Sequence, residues 1–341
     1  PVFTNTELNT LRTNPGVAFD TWYKDMDGDG YSDGVTQSSC VQPAGFELSG
    51  NLIATGGDCD DSKSTVYPGA AETCNGIDDD CDGNIDENLT PAVFSGNLHF
   101  TTQAQVNAFP AANPGCLTVT GQLEIGPSTD ITDLSPLANI VSVAGEVFIH
   151  NNTMLANGEG LSGLTFAGGV RVEGNPLLTS LDWPAALTNT AFGTFRVFGN
   201  TALISLKAPQ NVQTMADNLW IYGNPLLSTF SGFDHLATTD YDVWFRDTKI
   251  TSLTGSFQNL TSVGRDLDLQ NHSMLTSLNV FGDLASVGLH FSLRNNPLLT
   301  DVSGSFGNLT SIGGTMTVTG NPLVPTFNSF ANLTSAAGLL F

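Results

Sequence analysis

Positive charge is scarce in this sequence. Of its 341 residues only 10 are Lys or Arg, against 33 Asp or Glu, which gives a formal net charge of −23. Nucleic acids and anionic membrane surfaces are bound through clustered Lys and Arg, so this balance argues against both kinds of partner. Long apolar runs are missing as well. No stretch of about 18 apolar residues occurs, so we expect no membrane insertion.

Signatures of catalysis are equally sparse. The sequence contains no G-x-S-x-G, no H-E-x-x-H and no phosphate-binding loop, and its five histidines are scattered along the chain. A site that acts on polysaccharides would need clustered bases and acids, and Glu173 with Arg171 and Arg196 comes nearest to that. We therefore expect a protein that is not an enzyme.

The acidic residues are concentrated near the N-terminal end. Residues 1–90 hold 17 acids and three bases, and two stretches there share the frame D-x-D-x-D-G-x-x-D. In such a frame alternating carboxylates and the residue-7 carbonyl converge on one hard cation, and the glycine permits the sharp turn. So many like charges disfavour folding unless a divalent ion neutralises them, so we predict two or more structural calcium ions. The predicted ligands are Asp25, Asp27, Asp29, Tyr31 and Asp33 in the first frame, Asp78, Asp80, Asp82, Asn84 and Asp86 in the second, and Asp58, Asp60 and Asp61 between them.

Four of the five cysteines, Cys40, Cys59, Cys74 and Cys81, lie in the same acidic segment. Four cysteines in a small polar region indicate two disulfides and an extracellular setting. Three pairings are possible, of which we favour Cys40–Cys59 with Cys74–Cys81. Zinc fits poorly, because there is no paired C-x-x-C and the neighbours are hard oxygen donors. The fifth cysteine, Cys116, we expect to be a buried, small apolar residue.

From about residue 120 the sequence repeats with a period of about 24 residues. A Φ-x-Φ pair followed by G-N-P-L-L or a variant recurs, and its last aligned position falls at residues 152, 175, 200, 224, 248, 272, 296 and 321. Three apolar stripes per period leave no room for a helix of ordinary length. The predicted fold is therefore mainly β: a flattened, right-handed parallel β-solenoid rather than a strand-plus-helix horseshoe. Asn175, Asn200 and Asn224 should form a side-chain ladder along one corner.

These features divide the chain into three parts. We predict an N-terminal extension or linker at 1–20, an acidic calcium-binding disulfide module at 21–90 and the solenoid at 91–341. A short helix near 102–109, with Thr101 or Thr102 as N-cap, should cover the first coil. The period predicts a further strand near Leu340. That last coil has no cap, so it offers a route to homo-oligomers.

Alternation along the strands assigns the residues that point outward from the main sheet. Their two columns bring four of the six arginines together with an aromatic cluster, a combination typical of binding hot spots and of platforms that stack on sugar rings. We predict that this face binds a protein or glycan on another surface, or a neighbouring subunit. The residues concerned are Phe148, Arg171, Arg196, Phe198, Trp220, Tyr222, Trp244, Arg246 and Arg294.

Two resemblances follow from these motifs. Residues 22–87, with the stretches Tyr23 to Tyr31, Gly57 to Asp61 and Tyr67 to Gly83, resemble the MopE-type metal-binding motif of secreted bacterial proteins. One member of that family is associated with copper, but no His or Met cluster flanks these acids, which favours calcium. Residues from about 93 to 341, with their N-P-L-L-T-S-L and N-L-T-S-V-G units, resemble the receptor L-domain-type leucine-rich repeats of Bacteroidetes-type cell-surface proteins.

Together the resemblances imply a secreted or cell-surface protein that acts in adhesion or as a subunit of an extracellular appendage such as a filament. The alternative is a carbohydrate-binding module or a polysaccharide-active β-helix enzyme.

Overall fold

The computed structural model describes residues 19–184, 187, 189–324 and 328–340 of the chain. The chain divides into two compact units, Pro1–Leu89 and Thr90–Phe341. The predicted extension at 1–20 lies outside the described residues, apart from its last two. Within the described ranges, no helix combines the length and the apolar character that crossing a membrane requires.

The first unit is built on a small antiparallel sheet. Its strands are β1 (Asp20–Lys24), β2 (Thr36–Ser39) and β3 (Phe46–Leu48), in the order β2-β1-β3. Among the residues of this unit that the structure describes, only two apolar side chains are buried, those of Trp22 and Val66. Four aspartates are buried as well: Asp25, Asp58, Asp61 and Asp79. So small an apolar core contributes little to folding, and something else must stabilise the unit.

Disulfides supply part of that stabilisation. Cys59 and Cys81 are bonded with their Cα atoms 5.7 Å apart, Cys74 is a disulfide-bonded cysteine too, and Cys40 has a free thiol. The favoured pairing of Cys40 with Cys59 and Cys74 with Cys81 is therefore wrong. Cys116 is buried, as predicted, but it is a disulfide-bonded cysteine and not simply a small apolar residue. The pairing follows the backbone rather than the sequence spacing. Hydrogen bonds from the N–H groups of Tyr67 and Gly69 to the carbonyls of Asp79 and Asp80, at 3.0 and 3.1 Å, return the second acidic frame to the segment that holds Cys59.

The second unit is a parallel β-solenoid of about ten turns with coils of about 24 residues. A capped helix, α1 (Gln103–Ala112), lies near its start, and Thr102 and Gln105 form a capping box there. Two short 3-10 turns lie at Ser135–Leu137 and Asn328–Phe330. Its strands are β4 (Ala92–Phe94), β5 (Leu98–Phe100), β6 (Leu117–Val119), β7 (Leu123–Ile125), β8 (Ile140–His150), β9 (Phe166–Glu173), β10 (Ser180–Asp182), β11 (Ala191–Phe192), β12 (Phe195–Phe198), β13 (Ser205–Lys207), β14 (Thr214–Met215), β15 (Leu219–Tyr222), β16 (Thr229–Ser231), β17 (Thr238–Thr239), β18 (Val243–Thr248), β19 (Ser262–Val263), β20 (Leu267–His272), β21 (Ser286–Val287), β22 (Phe291–Arg294), β23 (Ser311–Ile312), β24 (Thr315–Thr319) and β25 (Gly338–Leu340).

The three apolar stripes predicted per period correspond to three parallel sheets. In the described part of the chain, the largest has thirteen strands along the path β25-β24-β22-β20-β18-β15-β12-β9-β8-β6-β4, with β5 and β7 pairing beside it. A second has six strands, β11-β14-β17-β19-β21-β23, and a third has three, β10-β13-β16. Inward side chains from all three sheets merge into one apolar core. The mainly β architecture is thus confirmed.

Two internal ladders hold successive coils in register. From Asn175 onward, each corner asparagine accepts a hydrogen bond from the backbone N–H of the corner residue one coil earlier, as Asn200 does from Asn175 at 3.0 Å, which confirms the predicted ladder. A second ladder, which the sequence reasoning missed, is a buried stack of Phe233, Phe257, Phe281 and Phe306, with ring centroids 5.6–5.9 Å apart. The asparagine ladder recurs in most coils and the phenylalanine stack links four successive coils. Repeated contacts of this kind between neighbouring coils are how a solenoid gains stability.

Candidate metal centre

The first acidic frame folds into a loop tied by its own carboxylates. Asp27 Oδ1 accepts a hydrogen bond from the N–H of Asp29 at 3.3 Å, and Asp29 Oδ1 accepts one from Tyr31 at 2.8 Å. Gly28 and Gly30 have φ angles of 79° and 94°, a conformation that other residues rarely adopt. One side-chain oxygen of each aspartate, Oδ1, therefore accepts a backbone hydrogen bond within the loop. The other, Oδ2, is buried in both residues without a hydrogen-bond partner.

A second segment closes on this loop. The N–H of Asp58 donates to the carbonyl of Ser32 at 3.2 Å, and Asp61 Oδ1 accepts from the N–H of Met26 at 2.7 Å. Two groups of carboxylates result, and in each group the candidate ligand atoms all lie within 4.8 Å of one another. One group is Asp25, Asp27 and Asp29, and the other is Asp27, Asp58 and Asp61. Asp27 belongs to both groups and so joins the loop to the second segment.

The electrostatics of this cluster are unfavourable without a cation. Burial, together with the neighbouring carboxylates, raises the pKa of Asp27 and of Asp58 above the ordinary value, despite a backbone hydrogen bond to each. Asp58 Oδ2 is also buried without a hydrogen-bond partner. Lys24 partly offsets the charge, because its Nζ lies 2.6 Å from Asp61 Oδ2 and 2.6 Å from Asp33 Oδ2. One ammonium group faces several carboxylates, so a hard divalent ion is the chemistry that the arrangement suits.

The second acidic frame gives a similar pair of groups. One comprises Asp78, Asp80 and Asp82, and the other comprises Glu72, Asp80 and Glu87, so Asp80 belongs to both. Asp78 Oδ1 accepts a hydrogen bond from the N–H of Asp82 at 3.1 Å, which curls the frame. Glu87 Oε2 is buried without a hydrogen-bond partner. Glu72 and Glu87 were not among the predicted ligands, because both lie outside the nine-residue frame.

Several predicted ligands have other partners and lie outside the four groups. Asp33 pairs with Lys24; the pKa of its carboxyl is raised by burial but lowered overall by this hydrogen-bonded lysine. Asp60 Oδ2 lies 2.5 Å from Lys63 Nζ. Asp86 accepts hydrogen bonds from the backbone N–H groups of Asn75 and Gly76. Asn84 donates to Asp82, and the ring of Tyr31 stacks on that of Tyr67. Position 9 of each frame thus braces the fold rather than facing the other carboxylates.

The Cys59–Cys81 disulfide connects the two acidic regions. Cys59 lies between Asp58 and Asp60, and Cys81 lies between Asp80 and Asp82. The bond fixes the Cα atoms of these two cysteines 5.7 Å apart, so the two sets of carboxylates cannot separate when their charges repel. The covalent link therefore preorganises both candidate centres before any ion binds.

The outward face of the large sheet has the predicted register. Arg171 pairs with Arg196, Arg196 with Trp220, and Trp220 with Trp244 in successive strands. The two indoles stack with centroids 4.5 Å apart and an angle of 9° between their planes. In the neighbouring column, Phe198 and Tyr222 stack at 4.9 Å. The structure thus brings the predicted aromatic and arginine residues onto one surface.

Guanidinium groups cover the aromatic planes. Arg196 lies over Trp220 at 4.5 Å and Arg246 lies over Trp244 at 3.9 Å. Arg171 covers Phe148 in the same way, with its Cζ 4.1 Å from the ring centroid. The ring of Phe148 also stacks with that of His150, at 4.0 Å between centroids. These are cation–π contacts that stabilise the sheet itself. The tryptophans therefore present ring edges rather than open planes to the surroundings.

Acids hold the arginines in these positions. Arg171 forms two hydrogen bonds with Glu173, at 2.8 and 3.0 Å, and Arg196 pairs with Asp217 at 3.1 Å. Asp268 is buried between Arg246, at 2.5 Å, and Arg294, at 3.7 Å. The arginines consequently have their charges matched within the sheet. This leaves little free positive charge for an anionic ligand.

A shallow cleft lies beside this face, lined by glycines and two carboxylates. The carboxylates are Glu146 and Asp217, and burial raises the pKa of Glu146 while Arg171 and Arg196 lower it in part. The glycines are required by the packing of coils. A Cβ on Gly168 would lie only 2.2 Å from the carbonyl oxygen of Ala144 in the preceding coil. The absence of side chains here therefore follows from the solenoid and does not by itself indicate a ligand.

One comparison with known proteins bears on the metal centre. Residues 58–87 match the family model Cu-binding MopE, which is described as a "Putative metal-binding motif". The matched residues include the disulfide, the second frame, Glu72 and Glu87, whereas the first frame precedes them. No curated protein and no solved structure matches the chain. The acidic groups and the matched motif together indicate that the first unit binds a metal ion.

Proposed function

We propose that the first unit binds at least two calcium ions and that these ions are structural. The observation that carries this proposal is the set of buried carboxylate oxygens without hydrogen-bond partners, on Asp27, Asp29, Asp58 and Glu87. Burying an unpaired carboxylate is costly, and a coordinated cation removes the cost. The unit otherwise buries only Trp22 and Val66 among its described apolar residues, so ion binding contributes directly to its folding.

The chemistry of the donors favours calcium over copper or zinc. The four groups contain only Asp and Glu, whose hard oxygens suit calcium, whereas copper and zinc favour imidazole and thiolate ligands. Cys59, Cys74 and Cys81 are disulfide-bonded, so their sulfurs are not free thiolates. The four groups therefore lack the imidazole and thiolate ligands that the copper in the name of the matched family would require.

For the whole chain we propose a non-enzymatic, secreted or cell-surface role in adhesion or as a subunit of an extracellular appendage. Disulfides support an oxidising compartment, and a repeat body with two internal ladders supports a rigid part that holds surfaces at fixed spacing. A right-handed winding and a relation to L-domain-type leucine-rich repeats belong to the same proposal. They are supported by the repeated N-P-L-L-T-S-L unit.

The arginine–aromatic face fits a protein partner or a neighbouring subunit better than a sugar. Sugar rings stack on open aromatic planes, whereas Arg196 and Arg246 already cover the outer planes of Trp220 and Trp244. The exposed ring edges and the paired guanidinium groups suit a flat protein surface, where Trp and Arg commonly dominate the binding energy.

Calorimetric titration of the full chain, stripped of metal, with calcium tests the metal proposal. Asp27 belongs to both groups of the first centre, so Asp27→Asn should weaken calcium binding there at least tenfold. Asp20→Asn is the matched control, because it removes the same charge from the same unit at an exposed position outside the groups. Titration with copper provides the competing outcome. Tighter binding of copper than of calcium, or equal effects of the two substitutions, would refute the assignment.

A further inference from the structure

Six of the eight coils that have a corner position expose a large apolar side chain at the same point of the same turn. The position is two residues after the corner residue of the asparagine ladder, and we call the column it forms the turn ridge. Its six members are Met154, Leu177, Leu226, Met274, Leu298 and Leu323, each between 38% and 50% exposed. In five of these coils the next residue is a leucine that is completely buried, as Leu178 and Leu299 are. One apolar residue of each such turn is therefore buried in the core. Packing within the coil does not explain why the exposed ridge residue before it is also apolar.

The residues that flank the six members of the turn ridge are uncharged, or their polar groups already have hydrogen-bond partners. Exposed prolines precede four of its members, at Pro176, Pro225, Pro297 and Pro322. On the other side a hydroxyl column includes Thr179 and Thr300, whose Oγ1 atoms donate to carbonyls of the preceding coil at 2.9 and 3.0 Å. Covering this strip would thus leave few polar groups without partners, which keeps the cost of desolvation small.

From this strip we infer that the turn ridge is a self-association interface, on which the ridge of a second copy of this chain packs. Six large side chains at this exposure present on the order of 500 Å² of apolar surface, near the upper end of what a monomer leaves uncovered. Two ridges packed together bury at most about 1,000 Å², about the least area that a specific interface has. A copy of the same solenoid also has the same spacing between coils, so ridge residues meet in register along the whole length.

A two-fold arrangement accommodates the two coils that depart from the pattern. Ala202 takes the ridge position in one of those coils. In the other, the turn is one residue shorter: exposed Lys249 follows the corner residue Thr248 directly and comes just before the buried Ile250, as a ridge residue does before a buried leucine. A two-fold axis between the coils of Leu226 and Lys249 places each ridge antiparallel to its partner, the commonest symmetry of homodimers. Small Ala202 then faces large Met274, and the aliphatic stem of Lys249 covers Leu226. The facing pairs are Met154 with Leu323, Leu177 with Leu298, Ala202 with Met274 and Leu226 with Lys249.

Sedimentation equilibrium of the full chain, from micromolar to hundreds of micromolar, tests this inference with two matched double variants. Leu177→Glu with Leu298→Glu places like charges opposite each other twice and should make the protein monomeric. Leu177→Glu with Leu298→Lys introduces the same number of charges with opposite signs and should restore dimers. Circular dichroism and thermal unfolding of both variants establish that each is folded. All six ridge residues lie in the second unit, so the proposed dimer persists when a chelator removes the metal ions.

Each outcome decides the inference. A concentration-dependent dimer of the wild-type chain that the Glu/Glu variant loses and the Glu/Lys variant regains supports the ridge and its two-fold arrangement. A wild-type chain that stays monomeric overturns the inference and assigns the ridge to a different partner. A Glu/Glu variant that dimerises like the wild type also overturns it. If both variants are folded monomers, the two-fold pairing is wrong.

Discussion

In each coil the residue just before the corner position has a left-handed backbone. Glycine occupies this position at Gly174, Gly199 and Gly223, with φ angles of 63° to 67°, and Asn151 and Asn295 occupy it in other coils, at 49° and 54°. Glycine and asparagine tolerate this conformation best. The G-N and N-N dipeptides of the repeat are therefore a backbone requirement, and for that reason the ladder could be predicted from the sequence.

Other features of single residues could not be predicted. The spacing of Cys40, Cys59, Cys74 and Cys81 permits three pairings, and only the path of the backbone decides among them. The same holds for Glu72 and Glu87, which lie eight residues before and seven after Asp80 but reach the same group. The nine-residue frame predicted the carboxylates at positions 1, 3 and 5 of both loops. It could not reveal ligands that other segments contribute.

The cysteine assignment predicts one reactive thiol per chain. Cys40 is half-buried and free, whereas the other four cysteines are disulfide-bonded. A maleimide reagent applied to the unfolded, unreduced protein should add once per chain, as measured by intact mass, and Cys40→Ser should abolish the addition. Three additions, or one that survives in Cys40→Ser, would contradict the assignment. Peptide mapping without reduction should recover Cys59 joined to Cys81.

The position and pairing of whole strands can be predicted from the sequence, whereas the contacts between their outward side chains cannot. A period of 24 residues places Trp220 opposite Trp244 because parallel strands of a solenoid pair at that offset. The alternation of strands likewise assigns both residues to the outward face. Which side chain then covers which ring depends on rotamers and on acids from other coils, such as Asp217 and Asp268. The alternation of the strands therefore predicts an outward aromatic surface, but it cannot predict that arginines cover the planes of its rings.

The asparagine ladder is interrupted where His272 and Thr248 replace asparagine. Thr248 Oγ1 lies 2.8 Å from His272 Nδ1, and burial lowers the pKa of His272 to about 3. Because an unfolded chain has the ordinary pKa of about 6.5, protons bind more tightly to the unfolded state. The burial of neutral His272 therefore has no pH-dependent cost above about pH 6.5. Below that pH it lowers the free energy of unfolding by at most about 1.4 kcal/mol per pH unit, until the folded pKa is reached.

His272→Asn should remove this pH dependence, because asparagine does not titrate and restores the ladder residue. Urea unfolding at pH 7.5 and about pH 5 measures the effect as the difference between variant and wild type, in which contributions of the other acids cancel. His235→Asn, at an exposed histidine, is the control and should behave like the wild type. If the wild type and His272→Asn lose equal stability between the two pH values, burial of His272 does not govern the acid sensitivity.

At the scale of the whole molecule, the two units are stabilised in different ways. The solenoid buries an extended core of Leu, Val, Ile and Phe, and equivalent hydrogen bonds join most of its successive coils. The first unit has little core and instead gathers carboxylates that a cation can neutralise, with disulfides to hold them. Among the described residues, all four carboxylate groups that could hold an ion lie in this first unit. Removal of metal should therefore act on one unit and spare the other.

A chelator should accordingly increase hydrogen exchange and proteolysis between residues 19 and 89 at pH 7.5, and leave the core strands of the solenoid protected. The size of this effect depends on pH with a defined sign. The pKa values of Asp27 and Asp58 are raised in the ion-free fold, so that fold binds protons more tightly than the unfolded chain and loses stability as pH rises through the raised pKa. Calcium needs the deprotonated carboxylates, so its stabilising effect grows over the same range. The difference in hydrogen exchange with and without chelator should thus be large at pH 7.5 and small near pH 4. A difference that does not change with pH would show that Asp27 and Asp58 do not bind the ion.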